Sequence, residues 1–287
     1  MKKTIICAAF MTAALANFGQ ADTTTVTIRS SSDTSGNSKA DTIQIGGMVI
    51  IKKGEYPGES KNHHVEWNHH NKNSRLQTSW ILLDLGYSNF NDKTDYGSAE
   101  MQEYTGNKPF NANDFNLRNG KSFNINVWLF RQRYGLTKNN SVNLTYGFVV
   151  ETSNYRYENN ISYKKGGPPY VIHDSISFDK NKLAMSYFTV PVMIGFNTNP
   201  SSSHGFNASA GVSIGYLYSS RNKQISDERG KQKIKGNFAL EPWKFQLVGE
   251  AGIGVLKVYG SYAPQSMYKT GPDMRPYNIG LRLGGWD

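Results

Sequence analysis

From about residue 79 onward the chain repeatedly places apolar side chains on every second position. Along 141–151, Val142, Leu144, Tyr146, Phe148 and Val150 fall on one face, and Ser141, Asn143, Thr145, Gly147 and Glu151 on the other. The stretches 206–218 and 277–284 alternate in the same way, with Phe206, Val212, Ile214 and Tyr216 in one and Tyr277, Ile279, Leu281 and Leu283 in the other. Successive strand side chains point to opposite faces, so each such stretch predicts a strand with one apolar and one polar side. Eight are found, at about 79–90, 122–135, 141–156, 185–197, 205–219, 241–250, 253–263 and 276–286. Most have the roughly 9–11 residues that a tilted strand needs to cross a bilayer.

The connections carry a second pattern. Those after the second, fourth and sixth strands are short, whereas those after the first, third, fifth and seventh run to roughly 31, 28, 21 and 12 residues. An even strand number with short turns at one end and long loops at the other is the habit of outer-membrane barrels. A soluble β-sandwich has no reason to alternate its loop lengths. The expected fold is therefore all-β: an eight-stranded antiparallel up-and-down transmembrane β-barrel over 78–287, in the outer membrane with both termini in the periplasm. Aromatic residues on the apolar phase, Tyr87, Phe123, Tyr216, Trp243, Tyr262 and Tyr277, gather at the long-loop ends as an interfacial girdle would, with Phe196 and Phe206 at the other end. Trp80 and Trp286 fall on the opposite phase to their apolar neighbours.

The N-terminus adds a destination. Lys2 and Lys3, an apolar run from Thr4 to Ala16 and the small-x-small Gly19-Gln20-Ala21 predict a secretory signal over 1–21. The single cysteine, Cys7, lies within it, so the mature chain is expected to hold no disulfide. The net charge of +10 falls to +8 without Lys2 and Lys3, which suits anionic lipid or an acidic partner. Export argues against nucleic acid. Residues 22–77 read as a periplasmic extension: a Ser/Thr-rich linker, one short strand or hairpin in "DTIQIGGMVIIKKG", then a tether. Such an extension could dock a periplasmic protein.

An eight-stranded interior is just wide enough for side chains to fill it, which argues against a diffusion porin. The polar phase carries Asp84, Glu151, Lys244, Glu250, Lys257 and Arg282, three acids and three bases. Buried charges persist only when paired, so these six predict an ion-pair network plugging the lumen. Asp84 and Arg282 become neighbours when the last strand meets the first. Trp128 and Phe130 are expected to point inward beside them, and Pro191 to impose a bulge and local kink in its strand.

Candidate chemistry is sparse. His173, Asp174 and Ser175 are adjacent on an extended segment, so they project to alternating sides and cannot form a triad among themselves. They read as solvated loop surface. The third long connection holds Arg221, Lys223, Arg229, Lys231, Lys233 and Lys235 against two acids; it reads as a hydrated mobile loop or, more sharply, as a lipopolysaccharide contact. Four of the six histidines, His63, His64, His69 and His70, crowd the tether. Zinc wants preorganised, oriented donors, which a tether does not supply, so any metal bound there is expected to be adventitious. No phosphate loop or zinc signature is present and no cofactor is expected.

Three stretches carry a family likeness. "SYFTVPVMIGF" resembles the Tyr-x-x-x-Pro strand of the PorT-like outer-membrane β-barrel proteins of Bacteroidetes. "SMYKTGPDMRPYNIGLRLGGW", with Gly271-Pro272 and Pro276, is similar to their closing segment, and "SWILLDLGYSNF" to their opening strand. The resemblance implies a small outer-membrane barrel, for many members without assigned activity, and for the namesake branch an association with secretion. Barrels of this kind usually end on an aromatic; here Trp286 is followed by Asp287. The expected role is a non-enzymatic membrane scaffold or binding protein. A secretion accessory, a rim hydrolase and a narrow channel are the alternatives.

Overall fold

A computed structural model describes residues 29–30, 40–45, 48–53, 75–118, 120–200, 205–254 and 256–283. The expected signal segment, the four clustered histidines and Trp286 lie outside the described residues. The chain divides into two units, Met1–Asn71 and Lys72–Asp287. The first contains β1 (Arg29–Ser30), β2 (Ala40–Ile45) and β3 (Met48–Lys53), an antiparallel sheet in that order. The hairpin expected in "DTIQIGGMVIIKKG" is thus β2 and β3, with Ile45 opposite Met48.

In the second unit eight strands close a ring. They are β4 (Leu76–Asp92), β5 (Phe123–Gly135), β6 (Val142–Arg156), β9 (Lys180–Asn197), β10 (Phe206–Ser226), β12 (Trp243–Ile253), β13 (Leu256–Tyr262) and β14 (Met274–Leu283). Each pairs antiparallel with its chain neighbour, and β14 returns to β4, setting Arg282 opposite Asp84. Closure leaves the ring with no edge strand. All eight expected strands are present. The main departure is length, since β9 starts at Lys180 and β10 runs to Ser226, both reaching well past the apolar belt. That belt is the exposed outer surface, where Leu85, Val192, Leu247 and Ile279 are each at least about two-fifths exposed. The polar phase fills the interior.

The alternation slips along one line that crosses four strands. Ile81 takes a positive φ of 52°, and Trp80 and Ile81 both face outward while Leu82 is buried. Trp80, expected on the inward phase, is 69% exposed and lies 6.3 Å from the Phe130 ring. On β5 the register to β6 shifts between Trp128 and Phe130. The bulge leaves Trp128 inside, as expected, but brings Phe130 to the outside against Trp80 and turns Arg131 inward to 4% exposure. Next along the line is Gly147, where a Cβ would stand 2.4 Å from the Phe130 carbonyl oxygen, so the close approach demands glycine. Pro191 ends the line without the expected bulge. Its register with Ser213 is continuous, and only the ladder to β6 lapses, between Tyr146↔Val192 and Val149↔Thr189. Proline has no N–H to give to a ladder, and it is at this position that the β6–β9 ladder lapses, its register unchanged on either side.

The long connections are folded. The first contains α1 (Ala99–Thr105), capped by the Ser98 hydroxyl accepting from the Met101 N–H and by Gly106 at φ 65°. The second holds the hairpin β7 (Ile161–Tyr163) and β8 (Val171–His173), and the third β11 (Gly230–Lys235), which continues the hairpin begun by β10. Side chains from all four meet the upper barrel strands in one hydrophobic core, among them Tyr104, Ile161, Phe238 and Tyr268, each at most 5% exposed. The third connection, expected as a hydrated mobile loop, is paired as a hairpin by β10 and β11. Its Ile234 packs on this core and Asn222 is fully buried.

Candidate functional site

The lumen is built in tiers from the short-turn end upward. At the bottom the Arg282 guanidinium grips Asp84 with two hydrogen bonds, Nε to Oδ1 at 2.6 Å and Nη2 to Oδ2 at 3.0 Å. It also donates to Glu250, whose other oxygen accepts from Arg131. Trp128 Nε1 donates to Asp84 at 2.8 Å, and its ring lies 4.5 Å under the Arg282 guanidinium. Two arginines, two carboxylates and an indole thus pair their charges with one another, as burial of charge requires, while Arg131 Nε has no hydrogen-bond acceptor among the described residues. Lys257 stands opposite Arg282 on β13 and is 2% exposed. Packed beside the ion-pair network, with Trp128 belonging to both, is a small apolar group of Leu82, Trp128, Val149 and Met193. In the next tier Lys244 Nζ donates to Glu151 at 2.6 Å and sits 3.9 Å from the Tyr187 ring centroid, while Thr189 donates to the second Glu151 oxygen. Between the tiers remains a cavity of about 50 Å³, room for a few waters, lined by polar groups that include Asp84, Glu151, Gln246 and Arg282.

All six lumen residues expected from alternation are inside, each no more than 8% exposed, and Asp84 meets Arg282 as closure implied. Arg131 was not expected. Strict alternation put it on the lipid side, and one signal could have exposed the error: a mid-strand arginine facing hydrocarbon costs about 2–4 kcal/mol, so an inward turn is the cheaper reading.

Above the lumen the cap core takes over. Tyr163 shares hydroxyl hydrogen bonds with Tyr157 at 2.6 Å and Tyr268 at 2.7 Å, which joins the second connection to the fourth. Tyr104 of α1 donates to the Phe238 carbonyl of the third. Gly271, at φ 86°, lets the fourth pass against the Tyr104 ring, where a Cβ would stand 2.6 Å away. Burial, then the electrostatic effect of neighbouring buried tyrosines, pushes the Tyr157, Tyr163 and Tyr268 phenols well above the usual range. His173 stacks on Phe110 with centroids 4.0 Å apart and shares a 3.0 Å contact from Nε2 to Asp114. Its other ring nitrogen meets no hydroxyl among the described residues. Asp174 instead holds Arg229 and Ser162.

That pair takes Arg229 out of the basic set of the third connection. The other five, Arg221, Lys223, Lys231, Lys233 and Lys235, share one face of the β10–β11 hairpin, with Arg221 opposite Lys235 and Lys223 opposite Lys233. Among the described residues no cluster of His, Cys, Asp and Glu is arranged to hold a metal.

Comparison with known proteins now decides the family. The family described as outer membrane protein beta-barrel domain matches residues 73–264, two thirds of the chain. The chain belongs to that family. It is an outer-membrane protein whose ring, lumen and cap all fall largely within the matched span. No curated protein matches it. Among solved structures it is similar to Neisserial surface protein A, at 12% identity over 72% of this chain and 98% of that one, with a TM-score of 0.27. It is also similar to Ail, the attachment invasion locus protein of Yersinia pestis, solved with the heparin analogue sucrose octasulfate. There the identity is 12% over 71% of this chain and 97% of that one, with a TM-score of 0.25.

Proposed function

We propose that this outer-membrane barrel is a non-enzymatic scaffold that holds a rigid binding cap at the cell surface, with its termini in the periplasm. The observation that carries the reading is that side chains block the interior at successive levels, from the Arg131–Glu250–Arg282–Asp84 network through the Lys244–Glu151 pair to the tyrosine core of the cap. A barrel sealed this way has no use as a pore, and connections packed around 19 buried side chains present a fixed surface. The partners of His173, a carboxylate and an aromatic ring, support a structural part for it and leave it without a nucleophile to activate. Reconstitution into planar bilayers tests the seal: steady conductance steps from the wild-type barrel would refute it. Amine labelling of Lys231 and Lys235 in intact cells tests the orientation, and labelling only after lysis would reverse it.

A secretion accessory of the PorT-like kind is the second reading. It is favoured by the separate sheet of β1, β2 and β3, which gives residues 22–77 a folded element to offer a periplasmic protein. In-cell crosslinking from that segment tests it. Capture of a secretion component would support it, and capture of none would leave the scaffold reading in place.

A further inference from the structure

Where β6, β9 and β10 rise out of the apolar belt, their outward faces change character within a few residues. The last lipid-facing rings on these strands form a stacked line. Phe148 and Phe188 are 5.7 Å apart, Phe188 and Tyr218 4.2 Å, and the latter two are over two-fifths exposed. Tyrosine favours the margin between acyl chains and headgroups, and the two phenylalanines fill the apolar belt beside it, so this line marks the upper edge of the belt. Six residues beyond Phe188 on the same face of β9 comes Lys182. The ladder places Arg156 of β6 and Lys223 of β10 directly opposite it, and Lys233 of β11 opposite Lys223. Four cations therefore stand side by side across four adjacent strands, a row of about 14 Å at the usual strand spacing. Arg221 and Lys235 flank the row toward the membrane, and Lys180 and Lys231 on the far side.

Like charges directly opposite one another destabilise a sheet, and this row has no internal remedy. Among the described residues none of its four members forms a salt bridge with a carboxylate; Asp179 accepts a hydrogen bond from Arg156 through its backbone carbonyl, and its charge offsets part of the repulsion on that guanidinium alone. Lys182 leans back to the belt, donating to Asn154 Oδ1 with its ammonium 5.2 Å from the Phe123 ring. Partial burial, then repulsion from Lys180, Lys223, Arg221 and Arg156, hold the Lys182 ammonium down to about 8, and burial and neighbouring cations lower Lys223 too.

We infer that this face is a seat for the phosphate groups of outer-leaflet lipid, with Lys182, Lys223 and Lys233 bridging phosphates while Phe148, Phe188 and Tyr218 contact the acyl chains below. Charge complementarity and continuity with the belt select a lipid over a soluble anion, because the row opens onto the layer in which lipid headgroups lie. The inference rests on the proposed orientation, which places this end in the outer leaflet.

The test uses the full mature chain purified in detergent and mixed with labelled diphosphoryl lipid A, its dephosphorylated form, or a soluble sulfated polysaccharide. The wild type is expected to retain diphosphoryl lipid A at least about tenfold better than the Lys182→Gln/Lys223→Gln/Lys233→Gln variant, a modest demand for three surface cations. A control with Lys108, Lys164 and Lys269 changed to glutamine should retain it as the wild type does. Heat-dependent gel mobility confirms that each variant is folded. Equal retention by wild type and triple variant, or equal retention of the dephosphorylated lipid, overturns the inference. So does stronger capture of the polysaccharide than of lipid A, which would point to a soluble glycan. None of these readouts depends on which way the barrel sits in cells, so the labelling experiment above fails separately.

Discussion

Replacing Arg282 with methionine removes the hub of the lower lumen. Three donors go at once: two to Asp84 and one to Glu250. Glu250 keeps Arg131, so its loss is partly covered. Asp84, 1% exposed, keeps only the Trp128 N–H and a long 3.4 Å contact from Asn126 among the described residues. Stranding one member of a buried pair costs about 3–5 kcal/mol, and the surviving donors place Arg282→Met toward the lower half of that range. Asp84→Asn in the same chain removes the stranded charge, so the double variant should recover at least about 1.5 kcal/mol relative to additivity. Urea titration in phospholipid vesicles, followed by tryptophan fluorescence and independently by heat-dependent gel mobility, measures both. The second probe matters because Arg282 stacks on Trp128 and would alter its emission locally. Neither variant should conduct, since methionine fills much of the arginine volume. A single variant within about 1 kcal/mol of wild type, or a double variant no better than the single, would refute the network as a source of stability.

Three further outcomes follow from particular residues. Gly271→Ala combines a strained φ of 86° with a Cβ 2.6 Å from the Tyr104 ring, so it should cost about 1–3 kcal/mol, seen as protease cutting in the long connections while the ring keeps its gel mobility. With the other tryptophans changed to phenylalanine, Trp80 should be quenched by brominated lipid and Trp128 should not; equal quenching would contradict the phase reversal at Ile81. Because Lys182 titrates near 8, below the ordinary lysine value, it is largely neutral at about pH 8.5, and a bound phosphate favours the ammonium. Lipid A binding at that pH should therefore load a proton onto Lys182 that is already present at about pH 6, and Lys182→Gln should lessen the uptake measured in buffers of different ionisation enthalpy.

How legible was this molecule before its coordinates? The eight strands were, because a lipid outside and a polar inside write period two into every crossing, and loop lengths marked the two ends. Asp84, Glu151, Lys244, Glu250, Lys257 and Arg282 followed from the same period. Arg131 did not, because a single bulged residue, Leu129, reverses the phase from there to the short turn. Trp80 was misread for a kindred reason at Ile81. The cap was invisible for a different one. Its core draws single residues such as Tyr104, Tyr163 and Phe238 from separate irregular segments, and no periodicity announces a core assembled that way. The cationic row was half visible: Lys223 and Lys233 stood out, but only strand register brings Arg156 and Lys182 beside them.

The tyrosine core also bears on how the barrel comes to stay in its membrane. Tyr163 and Tyr268 are 105 positions apart, and Tyr104 and Phe238 134, so these bonds cannot form until distant hairpins have come together. On the proposed orientation the four long connections must cross the bilayer as loose chain and only then condense on the far side. Once condensed they form a knot of side chains drawn from all four connections. Withdrawal of any one hairpin would first require that knot to melt, which makes the cap a latch set by the act of insertion itself.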